Sequence, residues 1–571
     1  MPKFCADFET TTDKTDCRVW AYALIEIGNL DNFIYGNNLN DFIEWCRKNP
    51  STIYFHNLKF DGEFIIHWLF MHGYTWCSSR KELKRQSFTT LISDKGQFYS
   101  LEICHGFKGM KMVSTKIIDS LKIIPFSVED IADGWGLPLS KLTIDYDKYR
   151  SKDHQLTKDE IDYIHNDVAI VASALKTIFD SGLNEITQGS NALHDFKNIF
   201  TKKRFEKDFP ILEYDNEIRQ SYKGAFTYCN KKYRGKDIGP GIVFDVNSLY
   251  PSVLYNELMP YGHGVAFEGE YTPDPLYPLY VQMIKCQFEL NDGYLPTIQI
   301  KGSYMFNPVE YLEDSGGEQV TLCLTNVDLK LLFEHYDVFD YEYCGGWKFR
   351  GVKGLFKDYI DKWIKEKIDA DKAKNKAKRS LAKLMLNALY GKFALNPTVQ
   401  SKMPYMAPDG IIKYRLLDPE ARDPIYIPVG TFTTAYARNK TIRAAQSVYD
   451  RFIYADTDSL HLEGTDIPAN LDIDPYRLGA WKWEKTFTRA RFIRAKCYIE
   501  EVDGKIEVTA AGMPERCYMV KEIDKNGKMI KTNKEVTWEN FKLGAVYKNK
   551  LKFEHVPGGI VLTPIDFTIR A

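Results

Sequence analysis

The spacing of hydrophobic and polar residues predicts strands and helices in mixed order along the chain. A helical repeat of apolar residues starts after Thr157, where Glu160 three positions later completes a capping box, and it ends at Gly182. Short apolar runs bounded by turn residues predict strands at 4–8, 53–55 and 101–103. Strands interleaved with helices indicate an α/β unit that extends to about residue 188.

Four segments from the end of this unit onward differ in pattern from it. The stretch 182–191 is polar and contains two glycines, which predicts a hinge between domains. A charged and then apolar helical pattern at 357–393 predicts two helices. It lies between a segment rich in Gly, Pro and Tyr at 261–278 and a proline-punctuated, strand-like segment at 397–428. We interpret both flanking segments as insertions.

Composition excludes several classes of protein. Hydrophobic residues make up 44% and charged residues 27%, values that are atypical of a disordered chain. No apolar stretch approaches the roughly 20 residues that a bilayer span needs, and the N-terminus lacks the apolar core of a signal peptide. None of the 11 cysteines lies within four residues of another, so reduced thiols are expected and any metal would be held by carboxylates, which suits magnesium.

The distribution of charge is uneven although the total is nearly balanced. The chain has 76 basic and 77 acidic residues, a net charge of −1, which argues against a general polyanion binder. Residues 362–383, however, contain nine Lys or Arg against three acids. Local basic surface of this kind is what a phosphate backbone would meet.

Acidic residues in the first 170 positions form one candidate site. Asp7 and Glu9 lie two apart on a predicted strand and face the same side, Asp61 follows an apolar strand, and Asp167 lies one helical turn after Tyr163. Each alone is compatible with a water-facing acid. Four carboxylates together could hold two magnesium ions and hydrolyse a phosphodiester, with Tyr163 orienting the attacking water. The set therefore predicts nuclease chemistry.

A second acidic set lies in the C-terminal half. Asp245 ends a strand that turns into a helix, and Asp456 and Asp458 occupy the tip of a predicted hairpin. A helical face offers a cation, an amide and an aromatic ring to a nucleotide: Lys383, Asn387 and Tyr390. The alternatives are a solvated turn and an ordinary amphipathic core helix. Bulky strand residues close to the acids favour a site.

Taken in order, these segments resemble the motifs of family B DNA polymerases. DVNSLYP (245–251), KLMLNALYG (383–391) and YADTDS (454–459) resemble its polymerase motifs. DFE (7–9), Asn57 with Asp61, and YIHND (163–167) resemble its 3′–5′ exonuclease motifs. The compact length, the two insertions, YKGA (222–225) and KCY (496–498) are similar to the protein-primed subgroup of small tailed bacteriophages. Ala225 departs from the glycine that is usual in that subgroup.

The resemblance implies a multidomain α/β and α+β fold, an RNase H-like exonuclease followed by a right-hand polymerase. The implied divisions are the exonuclease at 1–188, the palm at 189–260 and 429–525, an insertion that contacts a priming protein at 261–356, the fingers at 357–393, an insertion for processivity and strand displacement at 394–428, and a short thumb at 526–571.

The resemblance also implies roles for individual residues. Two Mg²⁺ ions per site, with Mn²⁺ as a substitute, would be held in the palm by Asp245, Val246, Asp456 and Asp458 and in the exonuclease by Asp7, Glu9, Asp61 and Asp167. Nucleotide-binding residues would be Tyr250, Lys383, Asn387 and Tyr390. DNA-binding residues would be His56, Asn57, Phe60, Ser120, Leu121, Tyr222, Lys223, Gly224, Thr434, Arg438, Lys496 and Tyr498. Phe60 and Leu121 are equally compatible with packing in the core.

The implied function is template-directed, protein-primed replication of a viral genome with proofreading and strand displacement. The expected partners are primer-template DNA, single-stranded DNA, dNTPs and a terminal protein, for a monomer in the host bacterial cytoplasm with no membrane contact. The alternative is a stand-alone metal-dependent 3′–5′ nuclease whose C-terminal half is a nucleic-acid clamp. A dead palm would have no need to keep three carboxylates together with Lys383 and Tyr250.

Overall fold

The computed structural model describes residues 1–146, 148–299, 311–523 and 529–570. Residue 147 of the predicted exonuclease, 300–310 of the predicted first insertion, 524–525 of the second palm segment, and 526–528 and 571 of the thumb lie outside the described residues. No helix in the described ranges is long and apolar enough to cross a membrane.

The N-terminal unit is built on one eight-stranded sheet. Its elements are β1 (Lys3–Thr10), β2 (Val19–Glu26), β3 (Asn29–Gly36), α1 (Leu39–Lys48), β4 (Thr52–Phe55), α2 (Leu58–Met71), β5 (Thr75–Cys77), β6 (Ser87–Ile92), β7 (Phe98–Lys108), β8 (Lys111–Asp119), α3 (Val128–Trp135) and α4 (Lys158–Asp180). The strand order is β3-β2-β1-β4-β8-β7-β6-β5, and β4 runs parallel to both β1 and β8. The three predicted strands are confirmed within β1, β4 and β7.

Helix α4 begins and ends as its sequence predicts. The Thr157 backbone N–H donates to Glu160 Oε2 (3.0 Å), and the Glu160 backbone N–H donates to Thr157 Oγ1 (3.3 Å), which completes the capping box. Gly182 adopts a φ of +79° just after the helix. Because α4 packs across β1 and β2, its buried face lies against the strand that carries Asp7.

Three helices connect this unit to the rest of the chain. They are α5 (Gln188–Phe200), α6 (Lys202–Asp208) and α7 (Asp215–Arg219). Helix α5 already starts inside the predicted 182–191 hinge, so the non-helical connection is shorter than expected. Gln188 Nε2 donates to the Leu384 carbonyl (2.8 Å), which ties the start of α5 to the predicted fingers.

The first palm segment and the first insertion follow. Their elements are β9 (Thr227–Cys229), β10 (Asp237–Ile238), β11 (Gly241–Val246), α8 (Leu249–Asn256), β12 (Met259–Phe267), β13 (Leu279–Leu290), β14 (Ile298–Gln299), β15 (Tyr311–Leu312), β16 (Val320–Thr325), α9 (Asn326–His335) and β17 (Tyr336–Val352). Strands β12-β17-β13-β16 form a sheet of their own, so the first insertion is a structured layer with α9 packed against it.

The fingers and the second insertion have contrasting structures. Their elements are α10 (Lys357–Lys372), α11 (Lys376–Ala388), α12 (Tyr390–Phe393), β18 (Thr398–Val399), β19 (Lys402–Met406), β20 (Ile412–Leu416) and β21 (Glu420–Ala421). The prediction of two long helices is confirmed by α10 and α11. The second insertion is strand-like, with β18 paired to β21 and β19 paired to β20.

The C-terminal part completes the palm and adds two hairpins. Its elements are α13 (Ile427–Ser447), β22 (Phe452–Asp456), β23 (Ser459–Glu463), β24 (Trp481–Phe487), β25 (Arg489–Arg494), β26 (Cys497–Val502), β27 (Lys505–Ala510), β28 (Met519–Ile523), β29 (Met529–Asn533), β30 (Val546–Val556) and β31 (Gly559–Thr568). The palm sheet has the order β24-β11-β23-β22-β9. It therefore joins strands that are more than 200 residues apart in sequence, and both of its faces are buried, with Phe244 and Leu460 on one and Tyr454 on the other.

Candidate active sites

The four predicted exonuclease carboxylates face one another inside the N-terminal unit. Asp7 and Glu9 project from β1, Asp61 lies in the first turn of α2, and Asp167 lies midway along α4. Asp61 and Asp167 are 3% and 4% exposed, so their charge is held away from water. The structure thus brings together the whole set that the sequence predicts.

The electrostatics of these four carboxylates favour the binding of a cation. Burial, followed by repulsion from Asp167, raises the pKa of Asp7 to about 7. Burial and then the neighbouring Asp7 likewise raise the pKa values of Glu9 and Asp61 well above the ordinary range. Asp61 Oδ1 and Asp167 Oδ1 are buried without a hydrogen-bond partner among the described residues. Hard oxygen donors with unsatisfied lone pairs fit a divalent ion such as Mg²⁺.

A lysine that the sequence analysis did not select lies against this site. Lys141 Nζ contacts Asp167 Oδ2 at 2.6 Å, and Tyr146 OH lies 2.5 Å from Tyr163 OH. Burial lowers the pKa of Lys141, but Asp167 and Asp7 outweigh it and the net pKa is raised. Within the described ranges no three His, Cys, Asp or Glu side chains already form a metal cage. In the absence of a metal, Lys141 supplies part of the balancing charge.

The predicted single-strand contacts lie on two adjoining loops. His56 Nδ1 lies 3.0 Å from Ser120 Oγ, which in turn donates to the Phe55 carbonyl (3.0 Å). Phe60 is half-buried and packs near Phe64 and Phe553, and Leu121 is also half-buried. The structure therefore brings these residues together beside the carboxylates.

Asp119, which the sequence analysis missed, organises both loops. Its Oδ1 accepts hydrogen bonds from the backbone N–H groups of Asn57 (3.0 Å), Leu58 (3.3 Å) and Leu121 (3.0 Å). Asn57 adopts a φ of +74°, a conformation that these bonds support. The feature that could have identified Asp119 is its place as a buried acid at the end of β8.

The palm carboxylates meet where β11, β22 and β23 adjoin. Asp245 and Asp456 both lie opposite Ser459 of β23 in the sheet register, and Asp458 lies in the turn between β22 and β23. The Val246 backbone N–H donates to the Asp458 carbonyl (2.8 Å). Burial and then Asp245 raise the pKa of Asp458 to about 6. The predicted hairpin with acids at its tip is confirmed, and its carboxylates fit a divalent ion.

Asp456 differs from the other two palm acids in its contacts. Its carboxylate pairs with Lys496 Nζ (2.7 and 2.8 Å) and accepts hydrogen bonds from Thr227 Oγ1 (3.0 Å) and Tyr454 OH (3.3 Å). Tyr454 OH also accepts the Lys496 backbone N–H (3.0 Å), while Tyr498 packs on Tyr454 with ring centroids 5.2 Å apart. In this structure Lys496 therefore holds the Asp456 carboxylate by an ion pair, and Tyr498 packs on Tyr454, which donates to the same carboxylate.

A cleft of about 490 Å³ lies in front of Asp245 and Asp458. One wall is the exposed face of α11 with Lys383 and Asn387. Tyr390 stacks on Tyr250 with ring centroids 4.0 Å apart. Helix α11 ends at Ala388 and Tyr390 begins the short α12, so the three predicted nucleotide contacts line one cleft but do not belong to one continuous helix.

Comparisons with known proteins decide the family. A family model described as DNA polymerase type B, organellar and viral, matches residues 45–474. The DNA polymerase of Bacillus phage M2 is 48% identical over 577 residues, covering 99% of each chain, and that of Bacillus phage phi29 is 47% identical over 582 residues, covering 100% of each. The chain belongs to the type B DNA polymerases. The DNA polymerase of Streptococcus phage Cp-1 is 34% identical, with 99% of this chain and 98% of that one covered.

Solved structures agree with this polymerase fold along the whole chain. Phi29 DNA polymerase complexed with primer-template DNA and incoming nucleotide substrates has 46% sequence identity, a TM-score of 0.91 and complete coverage of both chains. Phi29 DNA polymerase complexed with single-stranded DNA gives the same identity, coverage and TM-score. The polymerase is thus a multidomain enzyme with an exonuclease unit and a palm, fingers and thumb, and a stand-alone nuclease is not favoured. Polymerases of this family depend on divalent metal ions.

Two residues of α13 that are predicted to bind DNA, Thr434 and Arg438, are buried. Arg438 is 2% exposed, pairs with both carboxylate oxygens of Asp328 (2.9 and 2.7 Å) and donates to the carbonyls of Lys223 (2.9 Å) and Gly224 (2.8 Å). Thr434 is also 2% exposed and donates to the Thr431 carbonyl (3.1 Å). Both polar side chains therefore have protein partners, and their contacts with the primer strand stay predictions.

Arg438 supports the loop that contains the YKGA motif, which is predicted to contact DNA. It fixes the carbonyls of Lys223 and Gly224, while the Gly224 backbone N–H donates to Gln299 Oε1 (3.1 Å). Tyr222 is half-buried beside this loop. The three loop residues are brought together, and Arg438 contacts two of them through their backbone carbonyls. The contact of Arg438 with DNA stays a prediction.

Proposed function

We propose that this polymerase replicates a phage genome with two separate metal sites, one that adds nucleotides in the palm and one that removes them in the exonuclease unit. The observation that carries the proposal is the pair of carboxylate sets, one in each unit, in which burial and neighbouring acids raise the pKa values of Asp7 and Asp458. In both, the donors are oxygen atoms, which suits Mg²⁺ with Mn²⁺ as a substitute.

In the palm, Asp245 and Asp458, with the carbonyl of Val246 and with Asp456 nearby, would hold the metal ions. Bound ions lower the pKa of the primer hydroxyl and neutralise charge on the phosphates. Lys383 faces the cleft from α11 and would bind the triphosphate, and Asn387 lies one turn later on the same face. The Tyr250–Tyr390 stack would lie under the incoming sugar and base.

In the exonuclease unit, Asp7, Glu9, Asp61 and Asp167 would hold the ions that activate the attacking water. Tyr163, which contacts Tyr146 through its hydroxyl, would orient that water. The loops of His56–Asn57 and Ser120–Leu121, with Phe60, would grip the frayed primer end by hydrogen bonding and stacking. This division of labour supports proofreading.

The second insertion and the thumb both contact the exonuclease unit, which supports a role in enclosing DNA. The Asp94 backbone N–H donates to the Gln400 carbonyl (2.8 Å), and the Gly558 backbone N–H donates to His67 Nε2 (3.0 Å). Tyr414 of the insertion and His555 of the thumb approach each other with ring centroids 6.1 Å apart. Three regions that meet at one place can hold a strand without a separate clamp protein.

The remaining assignments concern partners and location. We infer the domain divisions predicted above, a terminal protein that primes synthesis against the separate sheet of the first insertion, a monomeric enzyme, and the host bacterial cytoplasm as its location. The support is the likeness to phage polymerases along the full chain and the compact, separate sheet β12-β17-β13-β16. Primer-template DNA, single-stranded DNA and dNTPs are the proposed substrates.

The test is extension of a primed single-stranded circle with Mg²⁺ and dNTPs, without helicase or clamp. Products longer than the circle are expected, because the enzyme must then have copied the template and displaced its own product. A reaction without dNTPs serves as the control and should show only primer shortening. Products that stop at one circle length would contradict strand displacement, and shortening alone in the complete reaction would contradict the polymerase assignment.

A further inference from the structure

A lysine on the palm sheet faces the nucleotide cleft beside Asp245 and has no part in the roles proposed above. Lys482 lies on β24 directly opposite Asp245 in the antiparallel register, and Lys482 Nζ is 3.2 Å from Asp245 Oδ2. It lines the same cleft as Lys383 and Tyr250. We propose that Lys482 is a nucleotide-binding residue: it pairs with Asp245 in the metal-free enzyme and contacts the triphosphate once metal takes that carboxylate. The inference rests on the proposed palm site.

The position of Lys482 is fixed by the sheet. Strand β24 pairs with β11 along its length, and Trp481, the preceding residue, is buried opposite Val246. The register with β11 shifts two residues later, at Glu484. Glu484 is also close enough to contribute to the raised pKa of Asp458. The strand therefore presents a lysine and an acid to the two carboxylates.

The charge of the cleft shows what Lys482 can do there. Four cations line it, Lys367, Arg379, Lys383 and Lys482, against two carboxylates, Asp245 and Asp458. Three of the cations come from the fingers, and Lys482 is the one that comes from the palm. A triphosphate between these walls would meet positive charge from both sides.

Exchange of partners follows from electrostatics. A divalent ion on Asp245 repels the neighbouring ammonium group and takes over its partner oxygen. The Lys482 side chain is 38% exposed and has a flexible four-carbon stem, so it can turn to another anion within reach. In the loaded cleft that anion is the triphosphate. The alternative is a simple cross-strand ion pair, which would contribute little at this exposure.

The test measures nucleotide binding without chemistry in the full-length protein. The enzyme is assembled on primer-template DNA with a dideoxy-terminated primer, saturating Ca²⁺ and the next correct dNTP, and the Kd of the dNTP is measured. Loss of a charge-assisted phosphate contact in Lys482→Met should raise this Kd roughly tenfold or more, whereas Lys482→Arg should stay within about threefold. Lys505→Met, a matched loss of charge on the exposed strand β27, should leave the Kd unchanged.

A second readout examines the metal without nucleotide. In a background with Asp7→Ala and Glu9→Ala, so that the palm site reports, Mn²⁺ is titrated against the melting temperature. Lys482→Met should lower the half-saturating Mn²⁺ concentration by a few-fold, because the competing cation is gone. An equal or higher concentration would contradict the exchange of partners.

The outcomes separate this inference from the proposed function. An unchanged or lower dNTP Kd in folded Lys482→Met, checked also in Lys482→Gln, overturns the role of Lys482 alone. A wild-type protein that binds no correct dNTP on primer-template overturns the proposed palm site and this inference with it. A raised Kd that Lys482→Arg restores supports both.

Discussion

In the exonuclease unit four carboxylates face one another inside the protein, whereas the palm carboxylates lie along the wall of an open cleft. The buried set is opposed by Lys141, which contacts Asp167 at 2.6 Å. The palm set is opposed by two lysines, Lys482 on Asp245 (3.2 Å) and Lys496 on Asp456 (2.7 Å). The two carboxylate sites are thus neutralised differently, by one lysine in the exonuclease unit and by two in the palm.

The difference reflects what each site must admit. In the proposed function a frayed single strand would enter between the loops that Asp119 holds together, so the exonuclease acids can stay buried and crowded. The palm must admit a duplex and a triphosphate, so its acids border a cleft of about 490 Å³ with cations on both walls. Burial and then repulsion from Asp167 raise the pKa of Asp7 to about 7, whereas burial and then Asp245 raise the pKa of the more open Asp458 to about 6.

Removal of Lys141 from the buried site should change the difference between the two sites most. Lys141→Met should reduce 3′–5′ exonuclease activity roughly 10- to 100-fold, because a charged partner that orients a metal ligand is lost. Nucleotide addition should stay within about twofold of wild type. The measurement is degradation of a labelled single strand alongside extension of a primer-template.

The control for this variant removes a lysine from another place in the same unit. Lys176→Met removes a lysine from the exposed part of α4, where it pairs with Asp180, and should leave both activities unchanged. Equal exonuclease losses in the two lysine variants would show that Lys141 acts through stability of the unit and not through the carboxylates.

A smaller expected effect is the dependence on pH of the stabilisation by Mg²⁺. Asp7 has a folded pKa above its unfolded value of 3.8, so the metal-free folded protein binds more protons and loses stability as pH rises from about 4 to about 7. Mg²⁺ relieves this repulsion. The increase in melting temperature on adding Mg²⁺ should therefore be about 2 to 4 °C larger at pH 8 than at pH 6. Thermal unfolding at both pH values, with EDTA as reference, gives the answer.

Asp7→Asn is the matched variant for the pH experiment. It removes one titrating carboxyl of a site in which Glu9 and Asp61 also have raised pKa values, so the Mg²⁺-dependent increase should depend less on pH than in the wild type. An increase of equal size at pH 6 and pH 8 in the wild-type enzyme would contradict the charge balance described for the buried site.

Local signals predicted much of the fold and of both acid sets. The capping box of Thr157 and Glu160 fixed the start of α4, and the acids flanking Thr457 lie at the tip of a hairpin as their bulky neighbours indicated. Alternation on a strand placed Asp7 and Glu9 on one face. These features depend on residues a few positions apart, which a sequence displays directly.

The missed and corrected residues depend on contacts between distant segments. Lys141 lies in a segment without periodicity and meets Asp167 only because α4 crosses the sheet. The partner of Lys482 follows from the pairing of β24 with β11, a register that the sequence does not state. Arg438 pairs with Asp328, 110 residues earlier, a contact that its position on α13 does not indicate.

The most direct test of the central claim, two independent carboxylate sites in one polymerase, uses two variants and one substrate. Asp458→Ala and the double variant Asp7→Ala with Glu9→Ala are each incubated with labelled primer-template, with and without dNTPs, in Mg²⁺. Asp458→Ala should lose extension by roughly 1000-fold while degradation without dNTPs stays within about twofold, and the double variant should show the reverse. Loss of both activities in either variant, in protein shown to be folded, would contradict the account.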